Sequence, residues 1–304
     1  LTLCRVASAA LVFACGAWAA PAAAEGYDGR TMRLSLDRGG VGTVDGATPP
    51  PSGVVDFAVG SDLVTGPLLL TGSNGTQVLF SARTTIEPSL TIGLPSDFAI
   101  YVRAPFAVYD LGADPQSQLT SSGPYPPSAA LLVPLMRDPF TDSRLGLRAE
   151  AGLPIGDPAS FRGDGGLTAR FSAIYQGPVW DAQAIASGGL LLSPELTALN
   201  GTTQGGYSIF TGFALKFPRE GKVTAITSVE GQVEVVGTNT SFGFAGGGLD
   251  FNMGSGTVRA MAGAQYHFDG TEPNGWFGLA FMERVTVVSA PDPNAPYPTK
   301  MGAR

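Results

Sequence analysis

Between residues 54 and 287 the chain alternates apolar and polar side chains with a period of two, the mark of strands that carry one greasy and one wet face. Over residues 167–176, Leu167, Ala169, Phe171, Ala173 and Tyr175 oppose Thr168, Arg170, Ser172, Ile174 and Gln176. Leu145, Leu147, Ala149 and Ala151 likewise oppose Arg144, Gly146, Arg148 and Glu150, and Val223, Ala225, Val229 and Val233 oppose Thr224, Ser228, Glu230, Gln232 and Glu234. The pattern predicts strands at residues 54–64, 77–94, 97–109, 128–136, 143–153, 167–176, 180–192, 206–217, 222–236, 241–252, 257–268 and 275–287, the fourth interrupted by Pro134. The fold expected is all-β: an antiparallel, up-and-down transmembrane β-barrel of about 12 strands.

The connections add independent information. The second, fourth, sixth, eighth and tenth are tight, whereas the first, third, fifth and seventh, at residues 65–76, 110–127, 154–166 and 193–205, are longer. The ninth and eleventh are short again. Barrels of the outer membrane have short periplasmic turns and longer outer loops, and an N-terminus left in the periplasm gives this parity. Alternation alone also allows a soluble barrel or sandwich with an apolar core. Against that, the apolar face is rich in alanine at mid-strand, as at Ala169, Ala173, Ala184 and Ala262, where a soluble core places bulk. Large aromatics fall toward strand ends instead: Phe98, Tyr175, Trp180, Tyr207, Phe217, Tyr266, Phe268 and Trp276, the expected membrane-interface girdles. The polar face carries Arg and Glu along the strands, which suits a wet lumen.

Composition narrows the function classes. The 304 residues hold 18 Lys+Arg against 25 Asp+Glu, a formal charge of −7, which argues against a nucleic-acid binder. Residues 1–24 read as a secretory signal peptide, with Arg5, an Ala-rich apolar stretch and a cleavage site near Ala24. Both cysteines, Cys4 and Cys15, lie inside it. The exported part then has no disulfide, no thiolate nucleophile and no Cys-ligated metal. A Gly/Pro-rich periplasmic entry segment is expected at residues 25–52, the barrel at 53–288 and a Pro-rich tail at 289–304.

The run Gly152-Leu153-Pro154-Ile155-Gly156-Asp157-Pro158-Ala159-Ser160-Phe161-Arg162-Gly163-Asp164-Gly165-Gly166, together with Leu34-Ser35-Leu36-Asp37-Arg38-Gly39-Gly40-Val41-Gly42, resembles bacterial outer-membrane barrels found fused to an OmpA-like peptidoglycan-binding domain. The resemblance spans roughly residues 30–285. It implies a bacterial outer-membrane location and a porin- or transporter-like barrel, with outer-membrane lipid and the barrel-assembly machinery as partners. A Pro-rich stretch stands where the OmpA-like domain would follow, so cell-wall anchoring is not carried over. The final strand has the aromatic-x-Gly part of an assembly signal in Trp276-Phe277-Gly278, but Glu283 stands where a terminal hydrophobic belongs.

Twelve strands ~4.8 Å apart and tilted ~40° enclose a backbone radius of roughly 12 Å, narrowed further by inward side chains. The lumen-lining charges expected are Arg83, Glu87, Arg103, Arg144, Arg148, Glu150, Arg170, Asp181, Lys216, Lys222, Glu230, Glu234 and Arg259, joined by His267. This suits a narrow passive channel for small solutes. The same charges could instead pair across the lumen and close a purely structural barrel. A hydrolase built on His267 is the weakest reading, because no Gly-x-Ser-x-Gly elbow accompanies it. Asp157 and Asp164 lack the spacing of a calcium loop. No enzyme activity and no cofactor or metal is expected.

Overall fold

The computed structural model describes residues 33–72, 75–111, 122–155, 166–197, 203–236, 241–267 and 274–287. Residues 1–24, expected as a signal peptide, residues 289–304, expected as a Pro-rich tail, most of the Gly-rich run with Asp157 and Asp164, and Phe268 lie outside the described residues. The strands are β1 (Val54–Gly72), β2 (Gly75–Gly93), β3 (Ala99–Arg103), β4 (Phe106–Leu111), β5 (Gly123–Pro124), β6 (Ser128–Asp138), β7 (Ser143–Gly152), β8 (Thr168–Val179), β9 (Ala182–Thr197), β10 (Thr203–Phe217), β11 (Val223–Val236), β12 (Phe242–Met253), β13 (Gly256–His267) and β14 (Asn274–Thr286). All pairings are antiparallel.

Fourteen segments make twelve staves. Both β3 and β4 pair with β2, so they are one stave broken at Ala104-Pro105, where proline has no amide to give the ladder. β5 and β6 form the next stave, broken at Tyr125-Pro126-Pro127 and pairing with β4 and β3. The barrel closes by β1 against β14, in register from Val54↔Thr286 to Thr65↔Gly275. The first connection, expected to be long, is instead a continued hairpin: β1 and β2 pair as far as Gly72↔Gly75. Register shifts between Thr65 and Leu69 break the alternation there, which is why the sequence pattern stops short.

Alternate residues are buried and exposed in opposite senses to a soluble core. Apolar side chains point outward around the circumference: Phe57, Leu147, Phe171, Phe213, Val229 (54% exposed), Leu279 and Phe281 are all exposed. Tyr175, Tyr207, Phe217 and Tyr266 also face outward, Trp180 stands fully out in the β8–β9 turn, and Phe98 is half-buried. Among the described girdle residues, Trp276 departs from the expectation. It shares a face with Gly278, Ala280 and Met282, points inward and is buried edge-on to Phe244 at 5.3 Å, leaving the outward seat to Phe277.

Candidate functional site: a segment inside the barrel

Residues 33–53, which take in the described part of the 25–52 stretch expected as a periplasmic entry, run through the barrel interior. The segment turns tightly at Gly42-Thr43, where Val41 and Val44 exchange backbone hydrogen bonds of 2.9 and 3.0 Å. Gly42 takes φ +65°, which glycine adopts without strain. The segment then leaves through Pro49-Pro50-Pro51 into β1, and Gly53 donates to Gly93 of β2 at 3.2 Å.

Its contacts run around the wall. Leu36 packs where a side chain at Gly60 of β1 would stand 2.7 Å from Leu36 Cδ2, and Val44 fills the matching space at Gly212 of β10. Thr43 Oγ1 lies 3.2 Å from Ser228 Oγ of β11. From β8, Gln176 Oε1 accepts from the Ala47 amide at 2.7 Å while its Nε2 donates to the Gly39 carbonyl. Arg259 of β13 donates to the carbonyls of Ser35 and Gly40 at 2.8 Å each, and a double hydrogen bond to Asp250 of β12 holds it. Leu34, Leu36, Val41, Val44 and Ala47 thereby join Ile174, Ile185, Ile226, Phe244, Met261, Trp276 and Met282 in one buried apolar cluster. The lumen is therefore not uniformly wet: the inserted segment brings a small hydrophobic core with it.

Beside that core lies a charged layer. Asp45 sits between two wall arginines, with Oδ1 2.8 Å from Arg103 Nη2 and Oδ2 3.0 Å from Arg148 Nη1, and Arg33 is 3.6 Å away. Arg33 pairs with both carboxylate oxygens of Glu150 at 2.7 and 2.9 Å. Burial alone would raise the Asp45 carboxyl, but Arg103, Arg148 and Arg33 outweigh it and hold it well below the usual carboxylate range. A small pocket opens alongside, lined in part by Asp45, Arg148, Glu150, Arg170, Ser172 and Phe210.

Of the charges expected to line the lumen, Arg83, Glu87, Arg103, Arg148, Glu150 and Arg259 are buried inside the barrel. Arg170 pairs with Glu230 at 3.2 Å across the interior, and Lys216 stands 3.6 Å from Asp250. Arg144 lies at the short-turn end, 3.6 Å from Asp142. Lys222 and Asp181 are exposed in turns rather than inward, because the strands they were assigned to begin one residue later, at Val223 and Ala182. The side chains of Glu234 and His267 lie outside the described residues. Sequence reasoning missed Asp45, Arg33 and Gln176 as partners in one site. The available signal was the set of apolar Ile174, Ile185 and Ile226 on the wet face, which need a cover.

Asp37 makes docking sensitive to pH. Its carboxylate accepts from the Gly39 amide at 2.9 Å, with the Gly46 amide and the Tyr101 hydroxyl farther off at 3.3 and 3.4 Å. Burial, then the neighbouring negative charge of Asp45, push it from the ordinary 3.8 up to about 6; Asp56 adds to this and Arg148 opposes it. The docked state thus holds a proton that the released state has lost. Docking should therefore be fully supported below pH 3.8 and lose about 3 kcal/mol as pH rises through 6. Asp37→Asn should abolish this loss: trypsin cleavage after Arg38, faster at pH 8 than at pH 5 in the parent protein once corrected for trypsin's own pH dependence, becomes equal at the two.

No family model matches the chain, and no curated protein matches it in sequence. Among solved structures, it is similar to an outer membrane channel from Pseudomonas putida F1, with a TM-score of 0.61 at 10% identity over 79% of this chain and 98% of that one. It is also similar to the NanC porin, with a TM-score of 0.51 at 6% identity over 75% of this chain and 98% of that one. At such identities the likeness is one of fold: a closed, antiparallel, twelve-stave β-barrel.

Proposed function

We propose that the chain is an integral outer-membrane β-barrel serving as a narrow passive channel for small solutes, with residues 33–53 as its constriction. One observation carries this reading: the barrel is inside out relative to a soluble protein. Apolar side chains such as Phe213, Val229 and Phe281 cover its outside, while Arg103, Arg148, Glu150 and Arg259 are enclosed. Water gives no reason to build that outer face, and hydrocarbon does. The solved channel and porin of like fold support it, as does the resemblance of residues 152–166 to barrels associated with OmpA-like domains. In this reading residues 1–24 direct export and are removed near Ala24, and the barrel-assembly machinery receives the aromatic end of β14.

Val229 lies midway along β11, paired with Phe213 of β10 and 54% exposed. Val229→Arg should cost about 2–4 kcal/mol of stability in lipid, the figure for a basic residue at the bilayer midplane. Heat-modifiable gel migration reads it as a smaller folded fraction, with Val229→Leu unaffected; a barrel meant for water would accept the arginine. The channel itself is tested in planar bilayers. The full chain should give small conductance steps and the chain lacking residues 33–52 much larger ones. Silence from both would overturn the channel reading.

A further inference from the structure

We infer that the barrel wall carries a binding site for small carboxylates, made by Arg103 of β3 and Arg148 of β7, and that Asp45 of the inserted segment occupies it as a built-in competitor. The inference rests on the channel reading above and names the solute class that the channel would take.

The site is built into the wall. Both arginines are 3% exposed, and they hold the two oxygens of Asp45 at 2.8 and 3.0 Å. The Arg148 guanidinium lies over the Tyr101 ring, 4.3 Å from its centroid, a platform that fixes its plane. Neither arginine is fully satisfied: Nη1 of Arg103 and Nε and Nη2 of Arg148 are buried without a hydrogen bond, and the 3.0 Å contact of Arg148 Nη1 with Asp45 is close but poorly aligned. Buried guanidinium donors left in this way are costly, and a carboxylate able to meet them more squarely than a tethered aspartate would gain that difference. The pocket beside Asp45 reaches Arg148, and Arg170 on its far wall stacks over Phe210 at 3.8 Å, so an entering solute meets a second cation and an apolar surface.

The spacing of the neighbouring glutamates favours a single carboxylate over a dianion. Glu87 lies 3.6 Å from Arg103 and Glu150 3.6 Å from Arg148, farther than Asp45 is from either. One carboxylate fits between the arginines, and a dianion such as sulfate would face both glutamates. The remaining holds on Asp45 come from the inserted segment itself, Ser35 Oγ at 2.9 Å and Arg33 at 3.6 Å, and would leave with it. A carboxylate that binds the vacated site shifts the equilibrium toward release, so the solute would open its own path.

The test uses the full chain in detergent and in planar bilayers, with sodium acetate as the probe against sodium chloride and sodium sulfate at equal ionic strength. Trypsin cleavage after Arg38, followed by mass spectrometry, reports release of the segment without reference to conduction. Acetate should speed cleavage several-fold over chloride, sulfate should not, and Arg148→Gln should lose the acetate effect whatever its basal rate. Asp45→Asn should release the segment in chloride alone and show a conductance that acetate reduces. Should Asp45→Asn fail to fold, the acetate response of the unaltered chain decides the matter. Conductance with equal cleavage in acetate and chloride would overturn the carboxylate site and leave the channel standing. Acetate-dependent release without conductance in any variant would keep the site and overturn the channel.

Discussion

Gly42→Val expels residues 33–53 from the barrel while leaving the staves intact. Gly42 has φ +65°, where a β-branched residue is strongly disfavoured. A side chain there also meets backed-up neighbours: its Cβ would stand 2.4 Å from Ser228 Oγ, 2.7 Å from Ser228 Cβ and 3.2 Å from the end of Met261. Ser228 is part of β11 and cannot retreat without breaking the ladder with β10 and β12. Backbone strain and overpacking, about 1–3 kcal/mol each, fall on the docked state alone and shift the equilibrium toward release. The expected result is rapid cleavage after Arg38, conductance near that of the chain lacking residues 33–52, and unchanged heat-modifiable migration. Continued protection of Arg38 would mean that the tight turn is not seated against β11.

Arg259→Ala should have an effect of similar size by a different route. Arg259 is 1% exposed and joins three partners: Asp250, itself fully buried, and the carbonyls of Ser35 and Gly40. Removing one member of a buried pair costs about 3–5 kcal/mol, mostly because the other charge is left without its partner. Lys216, 3.6 Å from Asp250, limits the loss to the lower part of that range. The double change Arg259→Met with Asp250→Asn separates the two roles. It should restore much of the thermal stability of the barrel, since the fully buried carboxylate is gone and only the less buried Lys216 loses a partner, yet leave the segment released, since nothing then holds the Ser35 and Gly40 carbonyls. Full recovery of Arg38 protection in the double variant would show that Arg259 supports the wall alone.

The architecture was legible from the alternation because each stave buries one face in the lumen and turns the other outward, so period two persists wherever the ladder is regular. It failed where the ladder is irregular: at the β1–β2 bulges, and at Ala104-Pro105, which splits a stave that sequence reads as continuous. Inward charges such as Arg148 and Arg259 were readable for the same reason of parity, and Trp276 was misplaced because its position near a strand end outweighed its parity. The occupied lumen was not read. A segment with Gly39, Gly40, Gly42 and three prolines carries no period, and its partners lie on staves spread along the whole chain. Only the apolar residues interrupting the wet face, Ile174 and Ile226 among them, recorded that something other than water would meet that wall.

Spin labels at Val229, on the outer face of β11, and at Ser172, on the inner face of β8, in protein reconstituted into lipid vesicles test the central claim most directly. Collision with oxygen, which concentrates in hydrocarbon, and with a water-soluble nickel chelate reports the surroundings of each label. The label at Val229 should meet oxygen freely and be shielded from the chelate; the label at Ser172 should be shielded from oxygen, and should gain chelate access only when Gly42→Val releases the segment. Free chelate access at Val229 would contradict the account.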